Sequence, residues 1–232
     1  MKKSFCTTLC MFVAFFLWTV AVCFVDVRTI GPNESQVGFA TVNEFFHKLT
    51  GVNFLLYTIT DWLGLVPVLV CLGFAVLGLV QWILKGHVLK VDYSILVLGV
   101  FYIAVMAAYL FFEEFVINYR PVLIGEYLEA SYPSSTTLLV LCVMPTAIMQ
   151  FNERIKCVQF RRFTSIAIMI FIAFMVIGRL LSGVHWLTDI IGGALLSASL
   201  VMTYRLVNDF KAKKSGVARF SPCNNKNKKE SA

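Results

Sequence analysis

Three stretches of this sequence, Phe5–Val25, Trp62–Leu84 and Tyr93–Phe112, run for 20 to 23 residues without a charged side chain. An α-helix rises 1.5 Å per residue, so each run can cross a hydrocarbon core about 30 Å thick. Backbone N–H and C=O groups find no partner in hydrocarbon, which leaves helices as the economical way across. Three further runs complete a set of six. Ser134–Phe151 is short, Phe163–Leu181 carries Arg179, and Trp186–Val207 carries Asp189 and Arg205. With 59% hydrophobic and only 14% charged residues, an ordinary soluble domain is excluded. The expected fold class is all-α: a polytopic membrane protein with six transmembrane helices.

The basic residues give the orientation. With the N-terminus inside, Lys2, Lys3, Lys85, Lys90, Arg154, Lys156, Arg161, Arg162, Arg205 and the tail fall on the inner side, leaving only Arg28, Lys48, Arg120 and Arg179 outside. That asymmetry predicts both termini in the cytoplasm. The net charge of +7 is then an orientation signal, and no basic folded face suggests a nucleic-acid partner. The seven cysteines show no paired metal spacing, and neither a metal nor a cofactor is expected.

One membrane domain is expected over residues 1–208, with a basic cytoplasmic tail over 209–232 too polar to build a core. Outside the first span, Thr41-Val-Asn-Glu44 has the pattern of a capping box and opens an amphipathic helix over about 41–50, lying in the membrane interface. Thr60 and Asp61 read as caps of the second span, and Pro67 and Pro145 as kinks within the second and fourth.

Topology then gathers polar groups on the outer side. Asn118-Tyr-Arg120-Pro121 follows the third span, Pro133-Ser-Ser-Thr-Thr137 opens the fourth, and Gly178 to Asp189 joins the fifth to the sixth. Charges this near hydrocarbon mark a functional site by default. Arg120 and Arg179 can fork onto phosphate oxygens. Ser134 and Ser135 precede a helix whose free N–H groups and dipole favour an anion. His185 can attack phosphorus through a neutral ring nitrogen, giving a phosphohistidine. Asp189, four residues on, can accept the hydrogen bond of the other ring nitrogen.

These residues carry a resemblance. The chain resembles the type 2 phosphatidic acid phosphatases, which share a fold with vanadium haloperoxidases. Their motifs are lysine, six residues, Arg-Pro; Pro-Ser-Gly-His; and Ser-Arg, five residues, His, three residues, Asp. Here Arg120-Pro121 matches the end of the first and Pro133-Ser134 the start of the second. Arg179, His185 and Asp189 fit the third at full spacing, with Gly178 in place of serine. The resemblance spans roughly residues 35–208 and implies a six-helix core, a nucleophilic histidine oriented by the aspartate, and a phosphate held by the arginines and the second-motif backbone. It implies membrane-embedded lipid phosphates or diphosphates as substrates, without any metal.

Two further departures from that pattern bear on the chemistry. Glu113 stands where the first motif has lysine, and Thr136 where the second has the histidine that protonates the leaving oxygen. Losing a general acid typically costs ~10² to 10⁴ in rate. Either Glu113 or Glu114 supplies the proton, or the substrate leaves without one, as a diphosphate does. The reading is a membrane phosphoric ester or diphosphate hydrolase with an extracytoplasmic site, and short loops point to a bacterial plasma membrane. The alternatives are a lipid-phosphate-binding or scaffold protein on the same fold, and a transporter. Ionisable groups gathered at one surface speak against transport.

Overall fold

Hydrocarbon-length apolar runs become helices. Among residues 2–214, which the computed structural model describes, six spans are long and apolar enough to cross a membrane. They are α1 (Lys2–Phe24), the pair α3 (Phe54–Leu63) and α4 (Leu65–Lys85), α5 (Tyr93–Glu114), α6 (Ser135–Arg154), α7 (Val158–Leu181) and α8 (Leu187–Lys214). Between the first two spans lie a short antiparallel hairpin, β1 (Arg28–Thr29) with β2 (Gln36–Val37), and the eleven-residue α2 (Ala40–Thr50). The all-α six-span architecture is the one the apolar runs predict.

Helix α6 is the axis of the bundle. Leu138, Cys142 and Ala147 pack with Leu98, Phe101 and Val105 of α5, Phe74 of α4 and Leu196 and Tyr204 of α8. Its other side sets Val140, Val143 and Met144 against Ile168, Ile172 and Met175 of α7. Helix α1 lies along α8. Large apolar side chains such as Phe16, Leu69, Ile103 and Ile170 face outward, as a hydrocarbon solvent allows. Close approach is built into α8 at Gly192, where a Cβ would meet the Tyr132 ring. A missing side chain there seats the segment before α6 directly on α8.

Several local expectations change. The second span begins at Phe54, capped by Asn53, whose Oδ1 accepts the Leu56 N–H at 2.9 Å. Thr60 and Asp61 are therefore inside α3 and cap nothing. The break at Gly64 falls just before Pro67, which cannot donate to the Leu63 carbonyl four residues back and crowds it. The capping box at Thr41 does not form. Phe39, in the left-handed region at φ 48°, precedes the helix, the Thr41 N–H donates to Asp26 Oδ2 at 2.7 Å, and Glu44 pairs with Lys48 at 2.6 Å. Helix α8 continues to Lys214, so residues 209–214 of the expected tail are helical. The rest of that tail lies outside the described residues.

Candidate active site

At one end of the bundle the C-termini of α5 and α7 meet the N-termini of α6 and α8. The turn Ser182–Trp186 carries His185 between α7 and α8 and is tied to the start of α3 by the Asn53 N–H on the Ser182 carbonyl at 3.0 Å. Arg179, on the last turn of α7, is 1% exposed. His185 and Asp189 are buried with it.

Asp189 knits three segments together. Its Oδ2 accepts the Trp186 N–H at 2.9 Å, the reach-back bond of a third helical residue onto the cap position. The same oxygen accepts the Ser131 hydroxyl at 2.5 Å, and Oδ1 accepts Asn118 Nδ2 at 3.2 Å. Its backbone carbonyl takes the Ser134 N–H at 3.0 Å. The expected direct bond to His185 is absent, because Nδ1 and Oδ2 stand 4.0 Å apart. Ser131 fills the gap, with Oγ 3.0 Å from Nδ1.

The other face of the imidazole meets cations. Arg179 NH2 stands 3.5 Å from Nε2. Its guanidinium lies over the Tyr57 ring at 5.0 Å, and NH1 reaches Thr60 Oγ1 at 3.5 Å and Asp61 Oδ1 at 3.6 Å. Arg120, in the loop after α5, pairs Nε with Glu129 at 3.0 Å without hydrogen-bond alignment. Burial first, then the positive charges of Arg120 and Arg179, hold His185 well below the usual imidazole range. The ring is thus neutral at pH 7, the form that can attack. Arg120 Nε and NH1 and Arg179 Nε are buried donors without hydrogen-bond partners.

The structure thus brings His185, Asp189, Arg179, Arg120 and Ser134 into one constellation. Ser134 contributes its backbone N–H to Asp189, so that donor is not free for a ligand. Ser135 and Thr136 occupy the first turn of α6, half-buried. Glu113 is exposed and lines a small cleft with Ser131 and Ser135. Ser131 and Asn118 join the site without having been candidates from the sequence, and Thr60 and Asp61, expected as caps, lie against Arg179 instead. Asn118 had a signal, since it opens the polar stretch that contains Arg120. Ser131 had only its nearness to Pro133.

A family model described as the PAP2 superfamily matches residues 70–212. A crystal structure described as that of the first transmembrane PAP2-type phosphatidylglycerolphosphate phosphatase, from Bacillus subtilis, has the same fold. The TM-score is 0.63 at 17% identity, covering 92% of this chain and 98% of that one. No curated protein matches the chain.

Proposed function

The chain belongs to the PAP2 superfamily, and from that premise we propose that it removes the terminal phosphate of a lipid diphosphate, such as a prenyl diphosphate, through a phosphohistidine at His185. Family membership supports the coarser statement, a lipid-phosphatase-like role in a multi-pass membrane protein. The observation that carries the proposal is the set of buried guanidinium N–H groups of Arg120 and Arg179 that make no hydrogen bond, near a buried imidazole, although Arg120 is ion-paired with Glu129 and Arg179 with Asp61. A buried charged donor left without a hydrogen bond costs more than an ordinary missing hydrogen bond. A phosphoryl group brings several oxygens to such donors at once.

His185 Nε2 attacks the terminal phosphorus; the N–P bond forms as the bridging P–O bond breaks, and the electron pair leaves on the phosphate of the lipid monophosphate. The arginines meet the charge that gathers on the transferring oxygens. Water then attacks phosphorus, the N–P bond breaks, inorganic phosphate departs and the imidazole is restored. An ester substrate would expel an alkoxide, which needs a proton that Thr136 cannot give. A phosphate leaving group does not need one. The distribution of lysine and arginine supports placing this site on the extracytoplasmic face.

Thr136 also favours a second reading, a protein that binds lipid phosphates without turning them over. Purified protein in detergent separates the two. Phosphate release from a prenyl diphosphate should exceed release from phosphatidic acid and vanish in His185→Ala. Equal or reversed rates would sink the diphosphate assignment. No wild-type turnover, with activity appearing in Thr136→His, would establish the binding reading.

A further inference from the structure

We propose that Ser131 is a positioning residue that holds the His185 imidazole in the tautomer attack requires, with the proton on Nδ1 and the lone pair on Nε2. The inference rests on His185 being the nucleophile proposed above.

The hydrogen bonds at the two ring nitrogens carry it, with the Ser131 backbone carbonyl a further acceptor of the ring N–H beside the hydroxyl. Ser131 Oγ stands 3.0 Å from His185 Nδ1 and 2.5 Å from Asp189 Oδ2. A serine hydroxyl has one proton, and an ionised carboxylate can only accept. That proton therefore lies toward Asp189, and the hydroxyl oxygen is left to accept from Nδ1–H. At the opposite nitrogen the neighbour is a guanidinium, which can only donate, with Arg179 NH2 at 3.5 Å from Nε2. Both sides of the ring demand the same tautomer. An imidazole free in water prefers the other one, with its proton on Nε2. In this site that form would turn an N–H toward Arg179 and bury the lone pair against Ser131.

Asp189 cannot do this alone. Its carboxylate is turned toward the Trp186 N–H at 2.9 Å and Asn118 at 3.2 Å, which leaves 4.0 Å to Nδ1, too far for a hydrogen bond. The serine is fixed in place: 2% exposed, with its N–H on the Asn118 carbonyl at 2.9 Å. When Nε2 bonds to phosphorus the ring becomes cationic. The Ser131 hydroxyl, polarised by Asp189, then stabilises Nδ1–H at one remove from the carboxylate. Ser131 lies two residues before Pro133, outside all three motifs of the resemblance.

Two arms test this, one of them independent of turnover. Nitrogen-15 histidine spectra of the detergent-solubilised protein at pH 7.5 read the tautomer directly, and His47→Gln and His87→Gln assign the three histidines. His185 should carry its proton on Nδ1 in the wild type and in Ser131→Thr, and show mixed tautomers in Ser131→Ala. A wild-type signal protonated on Nε2, or loss of the Nδ1–H form in Ser131→Thr, overturns the proposal.

In the kinetic arm, with a prenyl diphosphate, Ser131→Ala should lower kcat about 10–100-fold, the loss seen when the hydrogen-bond partner that orients a metal-bound imidazole is removed. KM should stay within about threefold, and Ser131→Thr should restore most of kcat. Added to Asp189→Asn, the Ser131→Ala change should cost little more, because both break one hydrogen-bonded chain. Undiminished kcat in Ser131→Ala, or fully multiplicative losses, contradicts the role. Should the wild type turn over no lipid phosphate while the spectra behave as expected, the function proposed for the site fails and the part played by Ser131 stands.

Discussion

Gly178 replaces the serine that opens the third motif, and the structure gives a physical reason that can be tested by one carbon atom. Helix α3 crosses α7 at this point. A Cβ on Gly178 would stand 2.8 Å from Thr60 Cγ2, with Leu56 Cδ1 at an ordinary 3.7 Å. Thr60 is 0% exposed, and its hydroxyl bonds the Leu56 and Tyr57 carbonyls at 2.9 and 3.0 Å, so its methyl cannot rotate aside without breaking them. Carbon atoms prefer about 3.5–4.0 Å, so Gly178→Ala has to push α3 from α7 by roughly 0.7 Å or more. Overpacking of that kind costs about 1–3 kcal/mol. Alanine in place of glycine inside a helix returns about 1 kcal/mol, leaving a net loss of about 0–2 kcal/mol.

Thr60→Ser keeps the hydroxyl and deletes the obstructing methyl. In that background Gly178→Ala should be neutral or stabilising by up to about 1 kcal/mol, a coupling typical of side chains in contact. Denaturant unfolding in detergent of the four proteins measures it. Activity should follow the same pattern, because Tyr57, Thr60 and Asp61 on α3 hold the Arg179 guanidinium. If Gly178→Ala shifts stability equally in both backgrounds, the Thr60 methyl does not set the α3–α7 spacing and the reasoning is wrong.

Other consequences follow from the same geometry. Arg179→Lys keeps a charge near Asp61 but loses the planar fork, and kcat should fall ~10² to 10³, as for removal of a transition-state donor, while the unfolding midpoint hardly moves. Because burial, Arg120 and Arg179 depress His185, kcat/KM should hold as pH falls through about 6.5, where free histidine titrates, and Arg120→Gln should move the acid limb to higher pH. The same depression makes the unfolded chain take up a proton that the folded one refuses. The stability that His185 contributes is therefore full above about pH 6.5 and lost as pH falls from there towards the folded value; an unchanged pH dependence of the denaturation midpoint in His185→Gln would contradict this. Asn43, 0% exposed, bonds the Gly38 carbonyl at 2.8 Å and Thr188 Oγ1 at 2.9 Å. Asn43→Ala should cost about 1–3 kcal/mol by orphaning those groups and speed hydrogen exchange across α2.

What the sequence revealed tracks how strongly each environment punishes alternatives. Hydrocarbon tolerates almost nothing but a long apolar helix, so the six spans were legible from charge-free runs. Arg179, His185 and Asp189 were legible because charge at the end of such a run demands partners. The break between α3 and α4 was harder to place, since Pro67 marks a disturbance but its position depends on how the preceding turn packs. Ser131 and Tyr57 have no signal in the sequence and Thr60 reads only as a cap, because uncharged side chains carry no penalty visible there, although Tyr57 and Thr60 bracket Arg179 and Ser131 bridges the imidazole. The direct His185–Asp189 bond failed for a local reason. Spacing of four residues assumes both lie on one helix, but α8 begins at Leu187, and Asp189 turns back to cap its own N-terminus.

Two departures from the family pattern, Glu113 and Thr136, lie in the half of the site where α5 meets α6, while Gly178 on α7 is a departure in the other half. Glu113 ends α5 and Thr136 lies in the first turn of α6, whereas the side chains proposed to hold and attack phosphorus come from α7, α8, α3 and the loop that carries Arg120 and Ser131. In that second half each side chain constrains the next: Tyr57 and Thr60 fix Arg179, Arg179 and Ser131 fix the imidazole, and Asn118 and Trp186 fix Asp189 behind Ser131. The half with Glu113 and Thr136 is the one that would manage a basic leaving group. Under the proposed mechanism, the other half supplies the nucleophile and cations for attack on a phosphoryl group whose departure needs no proton.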